Sequence, residues 1–169
     1  MKTKKLTLMA LLAAIALTIF TLEAQLPPPV PLPGIKLGLS NIVTVFAVFT
    51  LGPWEAAAIL AVRIFLGAVF AGTFSTILYS AAGGLLAILT TIALRRLLQP
   101  GQIWVAGCLG AVAHSLGQMA VAVWISGTAS ILIYLPVMLL CSILTGLFTG
   151  LCAGFLVKRG KTLWKTIFK

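Results

Sequence analysis

Long apolar runs, interrupted by short polar or glycine- and proline-marked breaks, dominate this chain from end to end. The first run covers residues 6–22, enough to cross hydrocarbon as a helix. Residues 23–38 follow as a loop, because five of the seven residues 27–33 are proline. Each proline removes a backbone donor and clashes with the preceding turn, so no helix continues through them. The second run, 39–51, is short and is expected to start inside the membrane or to lean. Gly52-Pro53 predicts a tight turn before the run 54–71, and Gly72-Thr73 a break before the run 74–94. Arg95-Arg96 and a linker holding Pro100-Gly101 lead to the run 103–125. After the turn Ser126-Gly127-Thr128, the last run, 129–157, is long enough to tilt or to project beyond the bilayer. The pattern predicts an all-α integral membrane protein with six transmembrane helices in a single domain, residues 1–169.

Composition sharpens this reading. Apolar residues make up 61% of the chain, charged residues 8%, and the mean hydropathy is +1.18. A soluble domain carries about a quarter charged residues, so this chain is built for lipid. The net charge of +10 does not indicate nucleic acid, because the cations sit in clusters at the edges of the apolar runs. Lys2, Lys4 and Lys5 open the chain, Arg95 and Arg96 form an internal pair, and Lys158, Arg159, Lys161, Lys165 and Lys169 close it. With six spans and both termini cytoplasmic, every cluster falls on the inner side and the proline loop lies outside. Five spans would strand one terminal cluster outside. The start of the chain resembles a signal peptide, but no small-x-small cleavage site follows and further spans do, so it reads as the first transmembrane helix.

Little in the sequence points to covalent chemistry. Cys108, Cys141 and Cys152 fall inside apolar runs without metal-ligand spacing, and no nucleotide motif is present. There is no Asp, and the two acids, Glu23 and Glu55, fall on opposite sides of the expected topology, where they cannot act as an acid–base pair. The absence of Asp also excludes the Asp-rich motifs with which prenyl-transfer enzymes bind magnesium diphosphate. The expectation is a chain with no catalytic group, no cofactor and no metal site.

The informative residues are polar ones within the apolar runs. An ionisable group at mid-membrane costs at least about 2.5 kcal/mol, so each is a functional candidate. Arg63 lies near the middle of the third run, and His114 near the middle of the fifth with Gln118 one turn away on the same face. Tyr79 lies in the outer part of the fourth run, and Lys36 and Asn41 mark the outer start of the second. If Lys36, Asn41, Arg63, Tyr79, His114 and Gln118 converge, they form a net-positive pocket suited to a phosphate, diphosphate or carboxylate. The alternatives are structural. Glu23 or helix-end carbonyls would neutralise Arg63, and Gln118 or Ser115 would satisfy His114. Glu55 reads as a helix N-terminal acid favoured by the dipole. Small residues recur at four-residue spacing, as in Gly146/Gly150/Gly154 and Ala10/Ala14, and let helices approach closely. The Ala10/Ala14 face is also open to another subunit.

Several segments together resemble a known family. Residues 33–41 (PGIKLGLSN), 63–67 (RIFLG), 79–84 (YSAAGG) and 110–118 (GAVAHSLGQ) resemble the signature of small bacterial membrane proteins called "heptaprenyl diphosphate synthase component I" or "Gx transporter". That family in turn looks like the substrate-binding S-components of energy-coupling factor (ECF) transporters. The resemblance implies a six-helix bundle in the bacterial cytoplasmic membrane that binds a small molecule from outside, under a loop joining helices 1 and 2. It also implies partners: a transmembrane coupling subunit, met partly through an Ala-x-x-x-Ala face such as Ala10/Ala14, and two cytoplasmic ATPases. The expected ligand is small and anionic or amphiphilic, such as a flavin, a vitamin precursor or an isoprenoid- or quinone-related molecule. Two other functions stay open: a non-catalytic membrane subunit of an isoprenoid or quinone biosynthetic complex, and a scaffold for an electron-transfer assembly.

Overall fold

The computed structural model describes residues 2–27, 35–72 and 74–167, and over these the chain is helical. Helix α1 spans Lys2–Glu23, α2 Asn41–Thr50, α3 Pro53–Ala71, α4 Phe74–Arg95, α5 Ile103–Ser126 and α6 Leu135–Ile167. All except α2 are long and apolar enough to cross a bilayer, the architecture of a multi-pass membrane protein. The ten residues of α2 cover only about 15 Å, half the hydrocarbon thickness.

The sixth run departs from expectation. Residues 129–134 form a 3-10 helix, opened by the Thr128 hydroxyl accepting from the Ser130 N–H. Pro136 lacks the N–H that would continue this turn, and the α-helix starts beside it at Leu135. At its other end α6 runs ten residues past the expected limit of 157, to Ile167.

Helix α2 is the hub, touching each of the other five helices. Its buried residues Asn41, Val43, Thr44, Val45, Ala47 and Val48 lie around much of its circumference, as a helix enclosed by others requires. Val43, Ala47 and Val48 pack with Leu12 and Ala16 of α1 and with Ile59 and Leu60 of α3. Val45 packs with Ile103 of α5 and with Ala153 and Val157 of α6. Around this hub α5 lies along both α4 and α6 at backbone distance. A Cβ on Gly146 would sit 2.8 Å from the Gly107 carbonyl oxygen, and one on Gly117 would sit 2.6 Å from that of Ala82. The glycine repeat of α6 is thus an internal seam. Ala10 and Ala14, by contrast, are exposed on the outer face of α1.

The two ends of the bundle differ. At one end Lys5 of α1 pairs with Glu55 in the first turn of α3 at 2.5 Å, and Arg95 lies beside Gly52. Lys158 lines a groove with Trp104 at the start of α5. The opposite end holds the end of α1, the start of α2 and residues 35–40 between them.

Candidate ligand site

Non-helical backbone inside a membrane protein survives only where protein or a cavity satisfies its polar groups. Residues 35–40 meet that condition through side chains of three helices. Glu23, the last residue of α1, accepts hydrogen bonds from the Gly38 N–H at 2.5 Å and the Leu39 N–H at 3.0 Å. On α5, Gln118 Oε1 accepts from the Lys36 N–H at 3.4 Å. On α6, Thr145 Oγ1 lies 3.5 Å from the Leu37 carbonyl, sharing its one proton with the nearer Cys141 carbonyl at 2.9 Å. Ile35 packs among Tyr79, Met119, Ala122 and Met138. This returning strand of irregular backbone, with a turn at 39–40, is held to the bundle by those contacts. The remainder of the expected lid, residues 28–34, lies outside the described residues.

Two glycines shape the interior around His114. Gly38 has φ +81°, and a Cβ there would approach Asn41 Nδ2 to 2.9 Å and His114 Cδ2 to 3.2 Å. On α4, a Cβ at Gly83 would approach His114 Nδ1 to 2.8 Å. The imidazole therefore fits against the strand and α4 only because both positions lack side chains.

Phe20 organises the two cations. Lys36 Nζ lies 3.4 Å from its ring centroid and the Arg63 guanidinium carbon 5.3 Å from it, both within cation–π range. Gly67, one turn beyond Arg63 on α3, leaves room for the ring, since a Cβ there would fall 2.9 Å from Phe20 Cε1. Burial pushes the half-buried Lys36 ammonium below the ordinary lysine range. The Glu23 carboxylate opposes that fall and the Arg63 charge adds to it.

The structural alternatives can now be weighed. Arg63 is only 2% exposed, yet among the described residues the one ion pair is Lys5–Glu55, and Glu23 directs both carboxylate oxygens to backbone N–H groups. The Ser115 hydroxyl pairs with that of Ser142 at 2.5 Å, and Gln118 Oε1 is directed to Lys36, so neither atom is given to His114. Among the described residues, four buried side-chain atoms make no hydrogen bond of ordinary geometry: Arg63 Nη2, His114 Nδ1, which lies beside the Gly83 backbone, and both Oδ1 and Nδ2 of Asn41. Buried polar groups are overwhelmingly paired, so a cluster of unpaired ones calls for a reason. Together these residues offer fixed positive charge, donors and an acceptor, with no nucleophile–base pair.

Five of the six expected site residues, Lys36, Asn41, Arg63, His114 and Gln118, surround the returning strand and its approach to α2. Tyr79 meets the same segment at its start, packing with Ile35. Sequence reasoning missed Phe20, Gly83 and Thr145. Phe20 is one apolar residue among many in α1 and carries no signal of its own. Gly83 does lie in the YSAAGG segment. Among the described residues, no group of His, Cys or acidic side chains gathers as metal donors.

The sequence profile described as "heptaprenyl diphosphate synthase component I" matches residues 12–156, a stretch that includes every residue of this cluster. The chain belongs to that family. The family's description denotes a component of a larger assembly, and the helical bundle places this component in a membrane. No curated protein and no solved structure matches the chain.

Proposed function

We propose that this protein is the substrate-binding membrane subunit, or S-component, of an ECF-type importer in the bacterial cytoplasmic membrane, taking up a small anionic or amphiphilic molecule. The observation that carries the reading is the cluster of half-buried Lys36 with buried Arg63, His114 and Asn41, in which, among the described residues, polar atoms stay unpartnered and neither cation makes a salt bridge. A bundle stabilised for its own sake gains nothing from such groups, because each buried unmet donor or acceptor costs about 1–3 kcal/mol. A ligand bearing an anionic group and hydrogen-bonding atoms would satisfy them. Both termini would face the cytoplasm, with the loop before Ile35 outside, and the exposed Ala10/Ala14 face of α1 would meet the coupling subunit. Transport would follow from rotation of the whole bundle against that subunit, driven by two ATPases. An outer surface that is almost entirely apolar suits such a motion, because lipid-facing polar groups would resist it.

The deciding experiment is native mass spectrometry of the detergent-purified protein and an Arg63→Ala variant, as isolated and after incubation with flavins, thiamine precursors and prenyl phosphates. A small molecule bound to the wild type and lost from the variant supports the reading. If neither protein carries any ligand, Arg63 is structural and the pocket hypothesis fails. The family description favours a second reading, a non-catalytic membrane subunit of an isoprenoid or quinone biosynthetic complex. Co-purification separates the two. ATPases with a coupling protein support transport, whereas a prenyl-transferase chain supports the second reading.

A further inference from the structure

The basic end of the bundle carries a groove that the ligand site does not use. It lies between the start of α5 and the latter half of α6, has a volume of about 170 Å³, and is lined by Ile103, Trp104, Gly150, Gly154, Phe155 and Lys158. Gly154 leaves α6 without a side chain on its floor, while at Gly150 the α5 backbone already closes the space, a Cβ there falling 2.7 Å from Trp104 Cα. A Cβ on Gly154 would have Ile103 Cβ as its nearest neighbour, at 3.6 Å, so the slot is open there. Trp104 and Phe155 are 43% and 60% exposed and flank it with aromatic surface. Lys158 is exposed, and the next residue, Arg159, holds its guanidinium 5.5 Å from the Phe155 ring centroid.

Charge and length say what such a groove takes. The 33 residues of α6 extend about 50 Å, well beyond a hydrocarbon core of about 30 Å, so its basic end reaches the headgroup level. Past Arg159 the helix continues to Ile167, and the sequence adds Lys161 and Lys165. The chain's two acids are engaged elsewhere, Glu23 at the opposite end and Glu55 with Lys5. No acidic side chain is left to receive a choline or ethanolamine group.

We propose that this groove is a binding site for an anionic phospholipid, with an acyl chain over Gly154 between the two aromatic side chains and the phosphate against Lys158 and Arg159. The hydrocarbon lining distinguishes a lipid from a free phosphate, and the unopposed cations distinguish an anionic headgroup from a zwitterionic one. The site is independent of the ligand pocket at the other end.

The test is native mass spectrometry of the full chain in detergent with equimolar phosphatidylglycerol and phosphatidylcholine of identical acyl chains. The wild type should retain phosphatidylglycerol preferentially. Lys158→Gln and Arg159→Gln should each weaken that retention about fivefold, as expected for one cation at an anionic surface. Gly154→Leu, which fills the slot while keeping the charge, should weaken retention too. Arg96→Gln, which removes an exposed cation outside the groove, should leave retention unchanged. Equal retention of the two lipids by the wild type overturns the proposal, as does an Arg96→Gln loss matching that of Lys158→Gln. All three glutamine substitutions are at exposed positions, so the test does not depend on a change in the core.

Discussion

Asn41 separates a ligand site from a structural polar cluster more cleanly than any other residue. Both of its amide atoms are buried and, among the described residues, unpartnered, so the empty protein gains nothing from them. Asn41→Leu, with the same side-chain branching, should leave the empty protein equally stable or more stable by about 1 kcal/mol, while ligand affinity falls at least tenfold. Thermal unfolding with and without ligand reads both effects, and a large loss of stability without ligand would make Asn41 structural. Lys36 makes a pH prediction. Its folded value lies below the ordinary 10.5 because burial disfavours the charge. As pH rises toward 10.5 the unfolded chain holds this proton longer than the folded one, so the empty protein gains stability there. Anion affinity should fall over the same window as the ammonium is lost. A titration in which stability and affinity move together would exclude Lys36 from the site.

At the scale of elements, the returning strand and the α5–α6 seam are the two places where single changes should propagate. Glu23→Ala leaves the Gly38 and Leu39 N–H groups without acceptors inside the bundle. Hydrogen bonds to a charged acceptor contribute about 1.5–3 kcal/mol each, so this variant should lose at least about 2 kcal/mol and its ligand binding together. Denaturant unfolding in detergent measures the loss, and a change below 0.5 kcal/mol would show the strand to be held by its other contacts. Gly107 faces Gly146 and Gly150 at backbone distance, and Gly107→Val would force α5 and α6 apart. A fall in melting temperature of several degrees is expected, while Gly101→Val, at an exposed position before α5 with nothing within 4 Å, should lower it far less. The positions of helices were legible from the apolar runs and their breaks. The 3-10 start at residues 129–134 was not, because Ser130 to Tyr134 read as apolar as the helix that follows them.

At the scale of the whole molecule, the basic clusters mark one end and the candidate ligand site is built toward the other. The Lys5–Glu55 pair links α1 to α3 at the basic end, with both side chains partly exposed. Solvent-screened pairs contribute about 0–1 kcal/mol, so Lys5→Met should change stability by no more than that, and the pair is not what closes the bundle. Orientation is testable directly. Single cysteines at Gln25 and Ser126 should react with an impermeant maleimide added to intact cells, and one at Arg96 only after lysis. The opposite pattern would invert the topology and place the site on the cytoplasmic side.

The sequence alone determined that this chain lies in a membrane, how its apolar runs divide, and which polar residues are out of place. It could do so because hydrocarbon tolerates neither charge nor unpaired backbone, so every exception stands out locally. Only the tertiary structure decided that the short α2 is the hub rather than an ordinary span, that Phe20 brings Lys36 and Arg63 to one ring, and that Glu23 accepts from the Gly38 and Leu39 N–H groups. Those outcomes depend on which backbones can approach, and Gly38, Gly67 and Gly83 permit approach to partners far away in the chain. A glycine records the absence of a side chain but not the identity of the group that fills the space.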